Sequence, residues 1–498
     1  MDVNFRKSSL GCMEYTLREM QNSEQTQEIK LPDGMPDIGR VVAAWGQSVL
    51  RGKEWRSDSI SFSGGMMVWV LYAPEDGSTM QCIDTWIPFQ MRWDLPEGTQ
   101  EGTMRFQCLT RFVDGRSVSP RKILVRAGMA VAAEALTGKT AEVFNGPKEE
   151  TEVQLLPGIY PLRLLREAGE KNFHMEEELR LPDSAPKPEK IISLRMQPQV
   201  LDKKVLGNKA VFRGNGNLQV LYRSEEGQYH SWKFELPFSQ FSELEGEYST
   251  DAQADLILMP TNLELEMDDE GLLQLKSSLA AQYLITDLHR VELVEDAYCP
   301  GRDITLTQET LELPVVLEER WEKVFPEQLI SATANIAVDA NFMPDFPRVR
   351  AVAGWVELEI PGMLQLLYYG EDGALHSASS RWETISRIQA DENSRIQAVP
   401  GIPQTQADLR GDRIQVRTEL PVKVQTMTEQ KIPMVTGVAM GELKKKDPDR
   451  PSLILKRAGE DRLWDMAKQW GSTVDAIRSA NHLQAEPVPG QMLLIPVS

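Results

Sequence analysis

The sequence predicts a mainly β protein: tandem β-sandwich-like repeats followed by a small strand–helix–helix–strand module. Three observations carry that expectation. Motifs recur at an offset of 150 residues. Several segments alternate apolar and polar residues with the period of a half-buried strand. Helical spacing emerges only after residue 450. A chain of 498 residues has room for about three domains and several buried cores.

The repeats come first, because missing them would misread the fold. Leu31-Pro32-Asp33 returns as Leu181-Pro182-Asp183, with Pro36 matching Pro186, Lys53 matching Lys203 and Gly64 matching Gly214. Val70-Leu71-Tyr72, followed by Glu75 and Gly77, returns as Val220-Leu221-Tyr222, Glu225 and Gly227. Ile87-Pro88-Phe89 answers Leu236-Pro237-Phe238 with the offset slipped by one. A fainter third copy is Gln365-Leu366-Leu367-Tyr368 with Glu371-Asp372-Gly373. These matches define three units at 1–160, 161–310 and a divergent 311–440.

Within the units, Asn262–Met267, Val356–Ile360 and Arg413–Gln425 alternate as half-buried strands. In the last of these, Ile414, Val416, Thr418, Leu420, Val422 and Val424 share one face. Asn145-Gly146-Pro147, Asn215-Gly216 and Glu371-Asp372-Gly373 read as turns, and many short strands separated by turns favour a sandwich over a parallel sheet. Met267-Asp268-Asp269-Glu270-Gly271 lacks the spaced ligands of a calcium loop and reads as a solvated turn.

Residues 441–451 are charged, bear proline and are poor in apolar side chains, so they read as a linker. The final module, 452–498, opens with a short strand, Ser452–Leu455. Leu463, Trp464, Met466, Ala467 and Trp470 then follow at helical spacing, with Gly471 at a C-cap. Ser472–Asp475 caps a second helix bearing Val474, Ile477 and Ala480. Asn481-His482-Leu483 ends it, and Pro489-Gly490-Gln491 turns the chain into a last strand, Met492–Pro496. In so small a module Trp464 and Trp470 are expected in the core.

This segment resembles the LysM module in Asp461, Leu463, Trp464, Ala467, Lys468, Asn481, Pro489, Gly490, Gln491, Leu493, Ile495 and Pro496. The resemblance implies a groove between two walls. Asp461, Arg462 and Leu463 would line one, and Leu483, Gln484, Ala485 and Glu486 the other. In sugar-binding members such a groove holds N-acetylglucosamine units. Here Arg462 replaces a small hydroxyl, which weighs against a glycan, and Glu486 is placed to pair with it. Upstream, the Leu-Pro-Asp, Val-Leu-Tyr and Pro-Phe elements resemble the SPOCS (spore coat structural) domain.

SPOCS units followed by LysM are the layout of SipL-type coat morphogenetic proteins of endospore formers. That resemblance implies a structural protein of the mother-cell cytoplasm that assembles at the forespore surface into the spore coat. The ATPase of the coat's basement layer and other coat proteins would be its partners, with peptidoglycan the alternative and self-association left open.

Composition agrees with a non-nucleic-acid role. Acidic residues exceed basic ones 74 to 54, for a net charge of −20, whereas phosphate contacts need a cationic surplus. The five basic and five acidic residues of 452–498 cancel, so the acidity belongs to the repeats. Cys12, Cys82, Cys108 and Cys299 offer no CxxC pair. No stretch approaches a signal peptide or the ~18 apolar residues of a membrane span, so membrane insertion is not expected. His174, His230, His289, His376 and His482 form no metal pair, and neither GxxxxGK[ST] nor GxSxG occurs. Neither an enzyme, a metal nor a cofactor is expected.

Overall fold

A computed structural model describes residues 2–149, 151–332, 334–352, 355–389, 394–444 and 451–497. Its first unit has six strands: Phe5–Lys30, Ile38–Arg56, Ser59–Pro74, Gln81–Asp94, Thr103–Ser119 and Lys122–Pro147. The second, third and fourth form an antiparallel meander. The sixth pairs with the first on one side and the fifth on the other, making a second sheet. Val68, Val70, Phe89, Phe106, Val125 and Val131 are fully buried between the two sheets. The mainly β, sandwich-like expectation holds.

The second unit repeats this order in Gln154–Leu179, Pro188–Ser224, Tyr229–Tyr248, Gln253–Met267 and Leu273–Tyr298. Pro188–Ser224 spans two strands of the first unit, reversing at Gly207, whose φ of 59° lies in the left-handed region glycine favours. The third unit runs from Arg302–Val324 to Arg413–Leu443, around a meander built on Trp355–Gly370 and Leu375–Ile388. On Arg413–Leu443 the whole predicted face is buried, from Ile414 and Val416 through Thr418 and Leu420 to Val422 and Val424.

The sequence repeats correspond to repeated contacts. Met35 N–H donates to the Pro32 carbonyl and Ala185 N–H to that of Pro182, so each Leu-Pro-Asp begins a tight turn. Glu75 N–H then reaches Asp37 O, and Glu225 N–H reaches Lys187 O, which pins the end of each Val-Leu-Tyr strand to that turn. Gly64 stands opposite Phe89, and Gly214 opposite Phe238, so the slipped Pro-Phe match restores the same register. A Cβ on either glycine would collide with a carbonyl of the preceding strand, Val49 O or Gln199 O, again one repeat apart. Gly77, Gly227 and Gly373 close the hairpins with φ of 71°, 82° and 71°.

Two expected turns are strands instead. Asn215-Gly216 sits mid-strand opposite Pro237 and Leu236; the missing Gly216 side chain leaves room for Met196 Sδ, 3.1 Å from where its Cβ would lie. Asn145-Gly146-Pro147 ends the strand Lys122–Pro147, with Gly146 opposite Arg6 beside a register shift. The Asp268 turn is found as expected: Asp268 Oδ1 accepts from the Glu270 and Leu272 amides.

The strands are also longer than expected, because the first and last of each unit run beyond their own sandwich. Phe5–Lys30, Lys122–Pro147, Gln154–Leu179 and Leu273–Tyr298 each span 26 residues. Their extensions bury Leu10, Phe144, Leu164, Leu293, Leu313 and Val435 in one core that takes side chains from all three units. Beside it Leu136, Leu165, Leu284, Val316 and Met427 meet as a second shared cluster.

Polar contacts close the three units into a ring, the fifth strand of one against the last strand of the next. Gln282 exchanges hydrogen bonds with the Phe106 backbone at 2.8 and 2.7 Å. Lys423 Nζ meets Asp255 at 2.5 Å, and Gln397 donates to Glu134 at 3.4 Å. Buried Arg105 joins Glu134 at 2.6 Å and Asp255 at 3.0 Å. Burial opposes ionisation of Asp255, but Lys423 and Arg105 outweigh it and hold the carboxyl well below its ordinary range. Asp2 and Val3 pair with Ala439 and Val438, bringing the start of the first unit to the end of the third.

Candidate functional site

The last module is built as its spacing implies. Leu453–Arg457 pairs antiparallel with Met492–Pro496, and between them lie α1, Leu463–Trp470, and α2, Val474–Asn481. Leu463, Met466, Ala467, Ile477, Leu493 and Ile495 are fully buried, which is the core a 3.6-residue period demands. Gly471 ends α1 at φ 63°, and Thr473 Oγ1 caps α2 by accepting the Ala476 amide at 3.0 Å. Asn481 ties α2 to the last strand: its amide donates to Ile477 O and Leu494 O, and its Oδ1 accepts from Leu494 N–H.

Of the seven predicted wall residues, two are brought into direct contact across the groove. Leu463 N–H donates to Glu486 Oε2 at 2.8 Å. The Leu463 side chain itself points into the core, so this residue presents only its backbone to the wall. Asp461 pairs with Lys456 at 3.0 Å. Arg462 does not pair with Glu486. Its guanidinium lies 3.2 Å from Asp465, one turn along the same helix and nearer than the opposite wall, and Asp465 raises its pKa further. Glu486 instead faces Arg478 at 3.8 Å. Leu483 packs partly against the core, while Gln484 and Ala485 are exposed.

A second contact was not read from the sequence. Trp464 Nε1 donates to Asp296 Oδ2 at 2.9 Å, and Lys468 Nζ bonds both oxygens of that carboxylate at 2.8 and 2.6 Å. Tyr298 O–H donates to Ser472 O at 3.0 Å, and its ring meets Trp464 edge-on, 4.7 Å between centroids. Burial raises the Asp296 pKa, but Lys468 and Trp464 bind the ionised form and bring it below the usual value; burial, with the Asp475 charge adding to it, pushes Tyr298 up to about 12. Trp464 is therefore core, as expected, but its cover comes partly from the second unit. The available signal was an indole N–H and a lysine one turn apart on α1, both needing an acceptor that the module does not supply.

Elsewhere, the described residues contain no group of three or more His, Cys, Asp or Glu placed to hold a metal ion. His174 contacts Ser278 at 2.8 Å and His376 contacts Asp372 at 3.0 Å, each an isolated surface pair. Burial pushes the Cys82 and Cys108 thiols up to about 12, away from reactive thiolates. Among the described residues no helix is long and apolar enough to cross a membrane.

Family models match two parts of the chain. Residues 187–268 match the SipL, SPOCS domain, and residues 460–496 the LysM domain. The first match spans the meander and fifth strand of the second unit, which begins at Pro188 and ends at Met267. Searches of curated proteins and of solved structures found no match. The chain thus carries a SPOCS domain of the SipL type and, after it, a LysM domain, two non-catalytic binding domains in a SipL-type architecture.

Proposed function

We propose that this chain is a non-enzymatic assembly protein of the bacterial endospore coat, working in the mother-cell cytoplasm and at the forespore surface. Its three units form a platform, and its LysM module docks a protein of the coat's basement layer, the assembling ATPase foremost. The observation supporting a protein partner is the hydrogen bond between Leu463 N–H and Glu486, which already occupies a backbone donor of the groove. Around it the walls present Asp461, Arg462 and Glu486, charges suited to a protein surface. The alternative is an adaptor that holds peptidoglycan glycan chains through the same module; exposed Gln484 and Ala485, with no charge of their own, favour it.

Calorimetric titration of the full chain with N-acetylglucosamine oligomers separates the two, run beside co-purification of the basement-layer ATPase from sporulating cells. The scaffold predicts no glycan binding and a co-purifying ATPase lost on Arg462→Glu. Tight glycan binding that disappears on Asp461→Ala would replace it with the adaptor.

A further inference from the structure

A cavity of about 610 Å3 opens where the three units meet, within the size range of small-molecule sites. Its walls are corresponding pieces of each unit. Residues 46–48, 195–203 and 341–344 come from the second-strand positions, and 107–110, 255–260 and 399–403 from the fifth. Met196, Met259, Phe342 and Met343 make the wall apolar, and methionine-rich walls adapt to irregular apolar shapes. Leu201 and Trp321 also line it, yet are 61% and 57% exposed, so the apolar lining continues out to solvent.

One polar group in this wall has unused capacity. Arg195 is 9% exposed, and its Nη2 is held 3.0 Å from both oxygens of Asp339 in the third unit. Its other arm, Nη1, is buried without a hydrogen-bond partner. A lysine would serve the Asp339 pair as a point charge; the guanidinium fork adds a second donor set at a fixed angle. A buried donor without an acceptor is costly unless something fills the position. The lining as a whole carries three cations, Arg195, Lys203 and Lys423, against two carboxylates, Asp202 and Asp255.

We propose that this cavity is a binding site for a small amphipathic monocarboxylate. The apolar tail lies along Met196, Met259 and Phe342, and the carboxylate accepts from Arg195 Nη1. Because all three units supply wall, an occupied site holds them in one arrangement, stabilising the folded chain by mass action.

The test uses the full chain and decanoate below its micellar range, with 1-decanol as the head-group control, followed by titration calorimetry and thermal melting. Saturable one-to-one binding is expected, with a raised melting temperature and decanol weaker by at least about tenfold, the loss of a hydrogen bond to a charged group. Arg195→Lys keeps the Asp339 pair and should weaken decanoate by a similar factor. Ile402→Trp, on the non-strand segment 401–403 of the wall, should abolish binding while leaving every strand pairing in place. Absence of saturable binding overturns the proposal. So does binding that survives Ile402→Trp, or decanol equal to decanoate. Should Arg195→Lys fail to fold, Ile402→Trp and the decanol comparison decide alone.

Discussion

Asp255→Asn tests whether the three units are one cooperative body. Asp255 lies on the fifth strand of the second unit with its side chain 9% exposed, 3.0 Å from Arg105 of the first unit and 2.5 Å from Lys423 of the third. The amide keeps the shape but removes the charge. Arg105 retains Glu134, whereas Lys423 loses the only salt-bridge carboxylate it has among the described residues. Removing one partner of a buried ion pair costs about 3–5 kcal/mol, because a charge remains buried and unpaired. Spread over a chain of this length, whose unfolding entropy is about 1 kcal/mol per degree, that is a shift of about 3–5 °C in melting temperature. The loss should appear as one displaced transition in differential scanning calorimetry, since the contact spans three units. It should also depend on pH. The folded pKa of Asp255 lies below its unfolded value of about 3.9, so its contribution is complete above that value and fades as pH falls toward the folded pKa. The gap between wild type and variant therefore narrows on acidification below about pH 4. A separate low-temperature transition confined to one unit, or a shift under about 1 °C, would refute the ring as a single folding unit.

Further outcomes follow from other contacts. Gly214→Ala should lower stability by about 3 kcal/mol or more, read by thermal melting, because its Cβ would meet Gln199 O, backbone that cannot step aside; Gly138→Ala, where nothing lies within 4 Å, is the neutral control. Asp296→Ala should remove the acceptor of Trp464 and Lys468 at a cost of about 1–3 kcal/mol and free the LysM module, seen as an increased radius of gyration in X-ray scattering. Limited proteolysis should cut first between 444 and 451, past the strand that ends at Leu443, a stretch of which 445–450 lie outside the described residues, and leave 154–179 and 302–324 intact, because both lie in paired strands of the shared core; early cuts in those strands would mark the units as independent.

What could be read from the sequence divides along a physical line. The motif pairs, the alternating strands and the LysM order were legible because each depends on residues close in the chain: a turn, a two-residue period, a capped helix. The Leu-Pro-Asp and Val-Leu-Tyr motifs repeat together because the segments that follow them are bonded across one hairpin, Glu75 N–H to Asp37 O and Glu225 N–H to Lys187 O. The shared core was not legible. Leu10, Leu164 and Leu313 look like any strand residues, and nothing in a period of two says that a strand of 26 residues serves two different cores along its length. Asn215-Gly216 misled for a related reason: the dipeptide suits a tight turn, yet glycine also suits a mid-strand position where Met196 packs across its face. At the candidate site the walls were placed by resemblance, but the partner of Arg462 followed from helix geometry, where three residues along the chain is nearer than the far wall.

The position of the LysM module follows from how the ring closes. Val3 pairs with Val438, so the first and third units meet where the body's final strand ends, at Leu443. The same end of the body carries Asp296 and Tyr298, at the close of the second unit's last strand. The module that follows is held there by Asp296 and Tyr298 through α1 and Ser472. These contacts, with the edge-on packing of Tyr298 on Trp464, hold the module against the second unit instead of leaving it to swing on a tether.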